Sequence, residues 1–201
     1  MCYTYNMMKI KDMKVKLVSR KEIQNFLEIH HYSHSINGCI TDYCFGLYYN
    51  SELIGALFYG RMAMANQWKK FSEDPLKVIE LRRLACVNDT PMNTESFFIG
   101  ATLRMLTKIW RKDGIVISYA DKEHGHVGTI YKASNFLLGD EIPGAKVIKY
   151  KTKIYHDKAI RTKYKGNLKP FAAKLKNALE TGEAYYHKTA GKYTYIYYLR
   201  K

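Results

Sequence analysis

The chain has 201 residues, 47% of them hydrophobic, and is long enough to bury a substantial core. This composition excludes a disordered chain. The N-terminus, MCYTYNMMKIKDMK, lacks the apolar core of a signal peptide, and no apolar run is as long as a membrane span. We therefore expect a soluble, intracellular protein. The cysteines at positions 2, 39, 44 and 86 form no CxxC pair, which indicates reduced thiols rather than a disulfide framework.

The charge is strongly basic and unevenly distributed. There are 33 Lys and Arg residues against 18 Asp and Glu, a net charge of +15. Residues 146–201 hold 15 of the basic residues, three acidic ones and nine of the 18 tyrosines. Cations interleaved with aromatic rings suit a polyanion with flat bases, because cations meet phosphates and rings stack. A solubilising surface would also explain a basic tail, so charge alone leaves both interpretations open.

The predicted elements of the first half begin with a short strand, KVKLV, at 14–18. Ser19 then caps a helix over RKEIQNFLEIHH. The segments YCFGLYY and ELIGALFYG predict a hairpin that turns at Asn50 and Ser51. Residues 77–87, KVIELRRLACV, predict a further strand.

The second half begins with a helix that follows Asn93, as a candidate N-cap, and ends before Gly114. Residues expected to face the sheet from this helix are Phe97, Ala101, Leu103, Met105, Leu106 and Ile109. The β-branched run IVISYA predicts a central strand. A short helix over about 127–135, a tail helix in LKPFAAKLKNALETG and a final strand in YTYIYYLR complete the pattern.

Strands that alternate with helices around a hairpin predict an α/β (α+β) fold, with a central mixed sheet flanked by helices, rather than a bundle or barrel. We expect one domain over 1–201, with an N-terminal arm at 1–13 and a basic, Tyr-rich C-terminal part from about 146 that packs on or extends it. Ligands of such open sheets bind beyond the carboxyl ends of the central strands. Residues 118–121 occupy that position.

The stretch SYADKEHGHVGTIYKASNF, residues 118–136, combines proton-handling side chains with glycines directly after the central strand. Asp121 is suited to accept hydrogen bonds from an amine, and His124 or His126 to take a proton or bind a metal. Backbone N–H groups around Gly128 are suited to hold an anion at a helix start. An N-capping Asp and glycine turns explain part of this pattern without any site.

Two further segments carry candidate chemistry. In HHYSHS, residues 30–35, a helix that continued past His30 would place His30 or His31 on one face with His34; the alternative is a polar helix end whose histidines meet the last carbonyls. In ELRRL, residues 80–84, strand alternation predicts that Arg82 and Arg83 face opposite sides, so only one would hold a phosphate or carboxylate. The sequence lacks GxxxxGK[ST], GxSxG and a Rossmann GxGxxG, which disfavours ATP hydrolysis, serine hydrolysis and dinucleotide binding.

Four segments, in this order and spacing, resemble the Mom DNA-modification proteins of phages: HHYSHS, ELRRLACV, NTESFFIGATLRML and SYADKEHGHVGTIYKASNF. The resemblance covers about residues 17–140, and its most specific part is the run YAD…GH.G.IY.A.N. It implies a GNAT-like acyltransferase fold. It also implies an enzyme that converts adenine in DNA to an N6-carbamoylmethyl form and so blocks restriction enzymes. Double-stranded DNA in the cytoplasm of a bacterial host would then be its partner.

The resemblance also assigns roles by motif. The matching residues are His31, Tyr32 and Ser33 for the family's His-Tyr-Ser, Arg83 (or Arg82 in the other register) for its strand arginine, Asp121 for the Asp of Tyr-Ala-Asp, and Tyr131 for the tyrosine of Ile-Tyr. We therefore expect catalytic roles for Tyr32, Ser33, Arg83, Asp121 and Tyr131.

The resemblance implies acetyl-CoA as a cofactor, although the expected loop differs from the usual pattern. A GNAT enzyme holds the CoA pyrophosphate on a Gly-rich loop that enters a helix, whereas VNDTPMNTESFF has no glycine. Backbone N–H groups at the helix start still suit an anion. We expect Arg82, Asn93, Thr94 and Ser96 to contribute to cofactor binding.

The resemblance further implicates iron. A carbamoylmethyl product needs a bond from nitrogen to a CH2 carbon, which acyl transfer from a thioester does not form, and a redox metal would help. Imidazole and carboxylate suit iron. His31, His34 and His126 are the predicted ligands, with Asp121 as a candidate carboxylate.

Two other functions fit part of the sequence. An ordinary GNAT N-acetyltransferase that acts on a small amine or a protein lysine would share the fold but would not need to bind DNA. A non-enzymatic DNA-binding protein would explain the charge but would leave the residues after the central strand without a role.

Overall fold

A computed structural model describes residues 8–64 and 66–199, which form two compact units. Of these residues, the first unit contains 8–64, 66–120, 128–139 and 194–199, and the second contains 121–127 and 140–193. The single domain expected from the sequence stays a prediction, and residues 1–7 of its N-terminal arm lie outside the described residues. Within the described part of the chain, no helix has the length and apolar character needed to cross a membrane.

The secondary structure follows the predicted order in the first unit and adds several strands in the second. The helices are α1 (Arg20–His30), α2 (Thr94–Ile109), α3 (Thr129–Ala133) and α4 (Pro170–Glu180). The strands are β1 (Lys14–Val18), β2 (Tyr43–Tyr49), β3 (Glu52–Gly60), β4 (Val78–Cys86), β5 (Ile115–Asp121), β6 (Leu137–Ile142), β7 (Lys146–Tyr150), β8 (Lys153–His156), β9 (Lys163–Tyr164), β10 (Asn167–Leu168), β11 (Ala184–Lys188) and β12 (Lys192–Tyr198).

The central sheet is mixed, as predicted. Its strand order is β1-β2-β3-β4-β5-β12-β6. The pairs from β1 to β4 are antiparallel, whereas β4 and β5 run parallel. The chain reaches β5 through α2, because parallel neighbours need a crossover connection rather than a tight turn. This crossover places the N-terminus of α2 at the edge of the sheet where β4 ends.

Local sequence signals set the boundaries of the first elements. The Glu22 carboxylate accepts hydrogen bonds from the Ser19 N–H at 2.7 Å and from the Ser19 hydroxyl at 2.8 Å, which fixes the start of α1. The hairpin turns at Asn50 and Ser51, whose positive φ angles of 47° and 70° match the two-residue turn preferred between twisted strands. Cys39, Cys44 and Cys86 are free thiols, as expected; Cys2 lies outside the described residues.

The buried face of helix α2 matches the prediction only in part: Leu103 and Leu106 are buried as expected, whereas the other predicted residues are not. Its buried residues are Thr94, Phe98, Ile99, Thr102, Leu103 and Leu106, whereas Ile109 is 42% exposed. Phe97, Ala101 and Met105 instead line an open groove with Val15. The prediction did not include the buried Thr102, whose hydroxyl lies 2.7 Å from the Tyr59 hydroxyl in the core.

The second unit has its own small core. Strands β11, β7 and β8 form an antiparallel three-stranded sheet, in that order, while β9 and β10 form a separate two-stranded hairpin. Helix α4 covers one face of the three-stranded sheet, where Leu175 and Ala178 pack with Ile148, Tyr150 and Ala184. The sequence predicted α4 and the final strand β12, but it did not predict this second sheet.

Candidate active site

The central sheet opens between β4 and β5 at the edge predicted to bind a ligand. The two strands pair only where Val78–Glu80 faces Ile115–Ile117, although both continue beyond those residues. Just past the paired part, the Ser118 hydroxyl donates to the Leu81 carbonyl at 3.1 Å. From there on, β4 presents backbone groups that are not paired with β5. An extended ligand can pair with such an open strand edge.

Tyr131 lies beside this opening. Its ring packs on the rings of Phe136, at a centroid distance of 5.6 Å, and Tyr195, at 5.1 Å. Burial raises the pKa of Tyr131 to about 12, opposed by its hydrogen bond with Ser118 and reinforced by the nearby Tyr32, Glu80 and Tyr195. The hydroxyl is therefore protonated at neutral pH and can donate a hydrogen bond.

The segment after α1 supplies a second aromatic group. Helix α1 ends at His30, and His31 has extended φ and ψ angles of −90° and 137°. The helical pairing of His34 with His30 or His31 is therefore wrong, because the helix does not continue. The His34 imidazole Nδ1 lies 3.1 Å from the carbonyl oxygen of Glu28 in the last turn of α1. This is the polar helix end that the alternative interpretation described.

His31 and Ser33 hold the Tyr32 ring at the surface. The Ser33 N–H donates to His31 Nδ1 at 3.1 Å, and the Ser33 hydroxyl lies 2.8 Å from the same nitrogen. His31 is buried, whereas Tyr32 is 41% exposed. The two rings lie 4.2 Å apart with an angle of 32°. A buried imidazole thus supports a partly exposed phenol.

Strand β4 carries a β-bulge at the two arginines. Phe58 pairs with Arg83 and Tyr59 with Leu81, so Arg82 is the extra residue. The bulge breaks the alternation that was expected to send the two side chains to opposite faces. Arg82 Nη1 donates to the Arg61 carbonyl at 2.8 Å, and Arg83 Nη1 donates to the Arg82 carbonyl at 2.8 Å.

Both arginines retain unused hydrogen-bonding capacity. Their Nε atoms are buried and have no hydrogen-bond partner among the described residues. Arg82 Nη1 also lies 3.8 Å from the buried Glu80 carboxylate. The geometry therefore anchors both guanidinium groups close to the opening, and it ties Arg82 to the protein by one contact more than Arg83.

Side chains of the predicted cofactor loop form hydrogen bonds with the backbone of the loop. Asn93 precedes α2 with a φ of 71° and makes no side-chain cap. Its carbonyl accepts from the Ser96 hydroxyl at 3.0 Å, and the Thr94 hydroxyl donates to the Pro91 carbonyl at 2.7 Å. The first turn of a helix has N–H groups without an intrahelical acceptor, which suits an anion. The negatively charged side chain of Glu95, in the same turn, disfavours the binding of an anion there.

Asp121 belongs to the second unit, where its carboxylate is already engaged. Oδ1 accepts from the Glu123 N–H at 3.1 Å, and Oδ2 pairs with Lys192 Nζ at 2.9 Å. His126 donates its N–H to the Asp121 carbonyl at 3.2 Å. The carboxylate thus acts as the N-cap of a short turn, as the alternative interpretation stated. Each oxygen has a second lone pair, so these contacts do not exclude a further donor.

Comparison with known proteins assigns the family. The model of the Mom protein family matches residues 12–201. This chain belongs to the Mom protein family. It is 27% identical over 129 residues to the methylcarbamoylase mom of Escherichia phage Mu, a match that covers 63% of this chain. Because the match covers 53% of that protein, the chain spans about half the length of the curated relative.

Solved structures identify the fold. The yncA protein of Salmonella typhimurium, solved with its cofactor acetyl-CoA, has a TM-score of 0.52 at 6% identity and covers 94% of this chain and 95% of its own. A Bacillus subtilis acetyltransferase in complex with CoA has a TM-score of 0.50 at 9% identity, with 93% and 99% covered. Ard1 from Thermoplasma volcanium reaches 0.51 at 10%, with 94% and 99% covered. This Mom-family chain therefore has a GNAT-like fold.

The predicted iron ligands do not form a metal site. Over 8–64 and 66–199, no three or more His, Cys, Asp or Glu side chains are grouped so that they could hold a metal ion. The Nδ1 atoms of His31 and His34 are used in contacts with Ser33 and the Glu28 carbonyl. The residues present do not fit iron in the predicted arrangement.

Several residues of the site were not singled out from the sequence. Ser118 and Tyr195 contact Tyr131, and Glu80 is buried within reach of it. In the second unit, the Glu123 carboxylate lies 2.7 Å from His187 Nε2 and accepts from the Ala190 N–H at 3.0 Å. Tyr195 and His187 come from distant parts of the chain, so local spacing gave no signal for them.

Proposed function

We propose that this Mom-family chain modifies the exocyclic N6 amine of adenine in DNA and thereby protects the DNA from restriction enzymes. The observation that carries the proposal is the position of Tyr131, with Tyr32 within electrostatic reach, beside the opening between β4 and β5. The name of the phage Mu relative, a methylcarbamoylase, supports the addition of a small group that contains a carbamoyl unit. The basic composition supports DNA as the substrate.

The substrate base has to leave the double helix before it can react. In a duplex, adenine N6 is paired and out of reach, and flipping the nucleotide out costs a few kcal/mol. Stacking on an aromatic side chain offsets part of that cost. Tyr32 offers a partly exposed ring that His31 supports from behind. We assign Tyr32 to stacking on the flipped adenine.

Tyr131 and Asp121 have complementary hydrogen-bonding roles in this proposal. The raised pKa of Tyr131 makes its hydroxyl a donor, not a base, at neutral pH. The Asp121 carboxylate is an acceptor and would accept from N6–H, which orients the amine and increases its electron density. Arg83 would hold a phosphate of DNA or cofactor; Arg82, which makes one contact more with the protein, is the alternative.

Acetyl-CoA fits part of the site. The open edge of β4 suits an extended chain that carries amide groups, and the N-terminus of α2 lies at the same edge of the sheet. Arg82, Asn93, Thr94 and Ser96 are the residues proposed to contact the cofactor. When bound, acetyl-CoA would supply an activated two-carbon unit.

The decisive experiment is nucleoside mass spectrometry on DNA from cells that express the protein. We expect a new deoxyadenosine species with the wild type and none with Asp121→Ala, and at least a tenfold reduction with Tyr131→Phe. Tyr150→Phe is the matched control, because Tyr150 is a buried tyrosine of the second core. Unmodified DNA from cells that contain soluble wild-type protein would refute the proposal.

The same experiment separates the proposal from ordinary acetyl transfer. The GNAT-like fold and the open β4 edge fit an N-acetyltransferase equally well. An added acetyl group on adenine would identify acyl transfer to DNA, and a carbamoylmethyl group would support the proposed product. Acetylation of small amines with no change in DNA would favour the acetyltransferase.

A further inference from the structure

The hairpin of β9 and β10 is the most exposed part of the second unit. Every residue from 161 to 170 is exposed, and the Tyr164 and Leu168 side chains are 65% and 37% accessible. The Tyr164 side chain therefore leaves most of its surface in solvent, and Leu168 leaves about a third. An exposed aromatic ring among lysines suits a polyanionic partner, because the ring can stack while the cations meet phosphates.

The hairpin is nevertheless regular. Tyr164 pairs with Asn167 and Lys163 with Leu168, and the two-residue turn has positive φ angles of 46° at Lys165 and 83° at Gly166. At its base, the Lys169 N–H donates to the Thr162 carbonyl at 2.9 Å. Because directly paired residues share a face, Tyr164 and Asn167 project together on one side.

The charge of the hairpin is entirely positive. Residues 161–169 contain Arg161, Lys163, Lys165 and Lys169 and no acidic residue. Arg161 pairs with Asp157 at 2.9 Å. In the described part of the chain, no salt bridge involves Lys163, Lys165 or Lys169. Three uncompensated lysines therefore surround one Tyr–Asn pair.

We infer that this hairpin lies in the major groove of duplex DNA and contacts base edges there. The major groove is about 12 Å wide and admits a two-stranded ribbon. The three lysines would contact phosphates on either side, while the Asn167 amide, with Tyr164 beside it, would bond base edges. An asparagine amide matches the N6 and N7 edge of adenine. The inference rests on the proposed function, because it takes duplex DNA as the substrate.

The first test measures duplex binding as a function of salt, without any reaction. The variant is Lys163→Ala, Lys165→Ala and Lys169→Ala together. Each lost phosphate contact reduces the slope of log K against log salt by about 0.9, so we expect a reduction of about 2.7. The matched control replaces Lys9, Lys11 and Lys21, three exposed lysines of the first unit, with alanine and should change the slope less.

The second test measures sequence preference. Duplexes with randomised base pairs around one adenine are bound to wild type and to Asn167→Ala, and bound and unbound fractions are sequenced. We expect the wild type to enrich duplexes that carry one particular base pair. The variant should lose about tenfold of that preference while it retains its overall affinity. Tyr164→Phe keeps the ring and tests the hydroxyl alone.

The outcomes distinguish this inference from the proposed function. If the lysine variant keeps the wild-type slope, or loses no more than the control, the hairpin does not bind DNA and the inference is wrong, whatever product is made. If the wild type binds RNA but not duplex DNA, the inference is also wrong. If DNA binding depends on the hairpin but no modified adenine forms, the inference stands and the proposed function fails. Circular dichroism melts establish that each variant is folded.

Discussion

Tyr131 and Gly128 show how single residues shape the candidate site. A Cβ atom at Gly128 would lie 2.2 Å from the Tyr195 ring, and the φ of Gly128 is +73°. Tyr195 in turn packs on Tyr131 at 5.1 Å. Gly128 is therefore required twice, once for its backbone conformation and once for the close approach of an aromatic ring.

Gly125 provides a matched comparison for Gly128. Its φ is +71°, but nothing lies within 4 Å of an added Cβ. Gly125→Ala should cost about 1–2 kcal/mol from backbone strain alone. Gly128→Ala should cost about 1–3 kcal/mol more, because the Tyr195 ring has to move. Urea unfolding of both variants measures the difference; equal losses would show that the ring contact is unimportant.

The raised pKa of Tyr131 predicts a loss of stability at alkaline pH. In the unfolded chain the phenol has its ordinary value of 10.0, and in the folded chain it titrates near 12. Between these values the folded chain keeps a proton that the unfolded chain releases. Stability that is complete below pH 10 is therefore lost as pH rises toward 12, at up to about 1.4 kcal/mol per pH unit.

The measurement is urea unfolding of wild type and Tyr131→Phe from pH 9 to pH 12. Tyr59 and Tyr119 also have pKa values raised by burial, so both proteins will lose stability. We expect a smaller loss in the variant, because one of the titrating groups is absent. If the free energy of unfolding fell equally with pH in the two proteins, Tyr131 would not titrate as described.

At the scale of elements, the segment after β5 is held by Glu123. The backbone N–H of Ala190, then His187, then Lys149 at 3.7 Å lower the pKa of this carboxyl group. The stabilisation is present above the ordinary pKa of 4.5 and is lost as pH falls through the lowered value. Glu123 thus positions the turn that Asp121 begins, and it contacts strands far away in the sequence.

Glu123→Gln should loosen that segment without unfolding the protein. We expect only a small loss of stability, since the pair is partly exposed. Hydrogen exchange of residues 121–127 should become faster, and adenine modification should fall with it. Glu183→Gln, at an exposed position of the same unit, is the control. If hydrogen exchange of residues 121–127 were unchanged in Glu123→Gln, Glu123 would not position this segment.

At the scale of the whole molecule, the net charge of +15 predicts a strong dependence of duplex modification on ionic strength. Contacts with six to ten phosphates would reduce DNA affinity by a factor of about 10³–10⁵ between about 50 and 200 mM salt. The product yield on duplex DNA at a subsaturating protein concentration should fall accordingly. The rate of any slow reaction with free deoxyadenosine should change little with salt, because a nucleoside has no phosphate. If the yields on duplex DNA and on deoxyadenosine fell in parallel, salt would be acting on the site itself.

The elements that local signals determine were predicted well. The positions of β1, α1, the β2–β3 hairpin, β5 and α4 follow from caps, turn residues and short apolar runs. Motif resemblance supplied the family and the GNAT-like fold, which the comparisons confirm. The second sheet was missed because its strands are only four or five residues long and lack a regular apolar alternation: β7 is largely buried, whereas β8 and β11 are mostly exposed.

By itself, the sequence determined the family, the fold class, the basic charge and the residue types available for chemistry, since these depend on composition and local order. Only the tertiary structure decided which residues meet. The burial that raises the pKa of Tyr131, the bulge that displaces Arg82 and the separation of β4 from β5 arise from contacts between distant segments. The predicted metal ligands His31 and His34 are instead engaged by local contacts: α1 ends at His30, His31 contacts Ser33, and His34 contacts the Glu28 carbonyl.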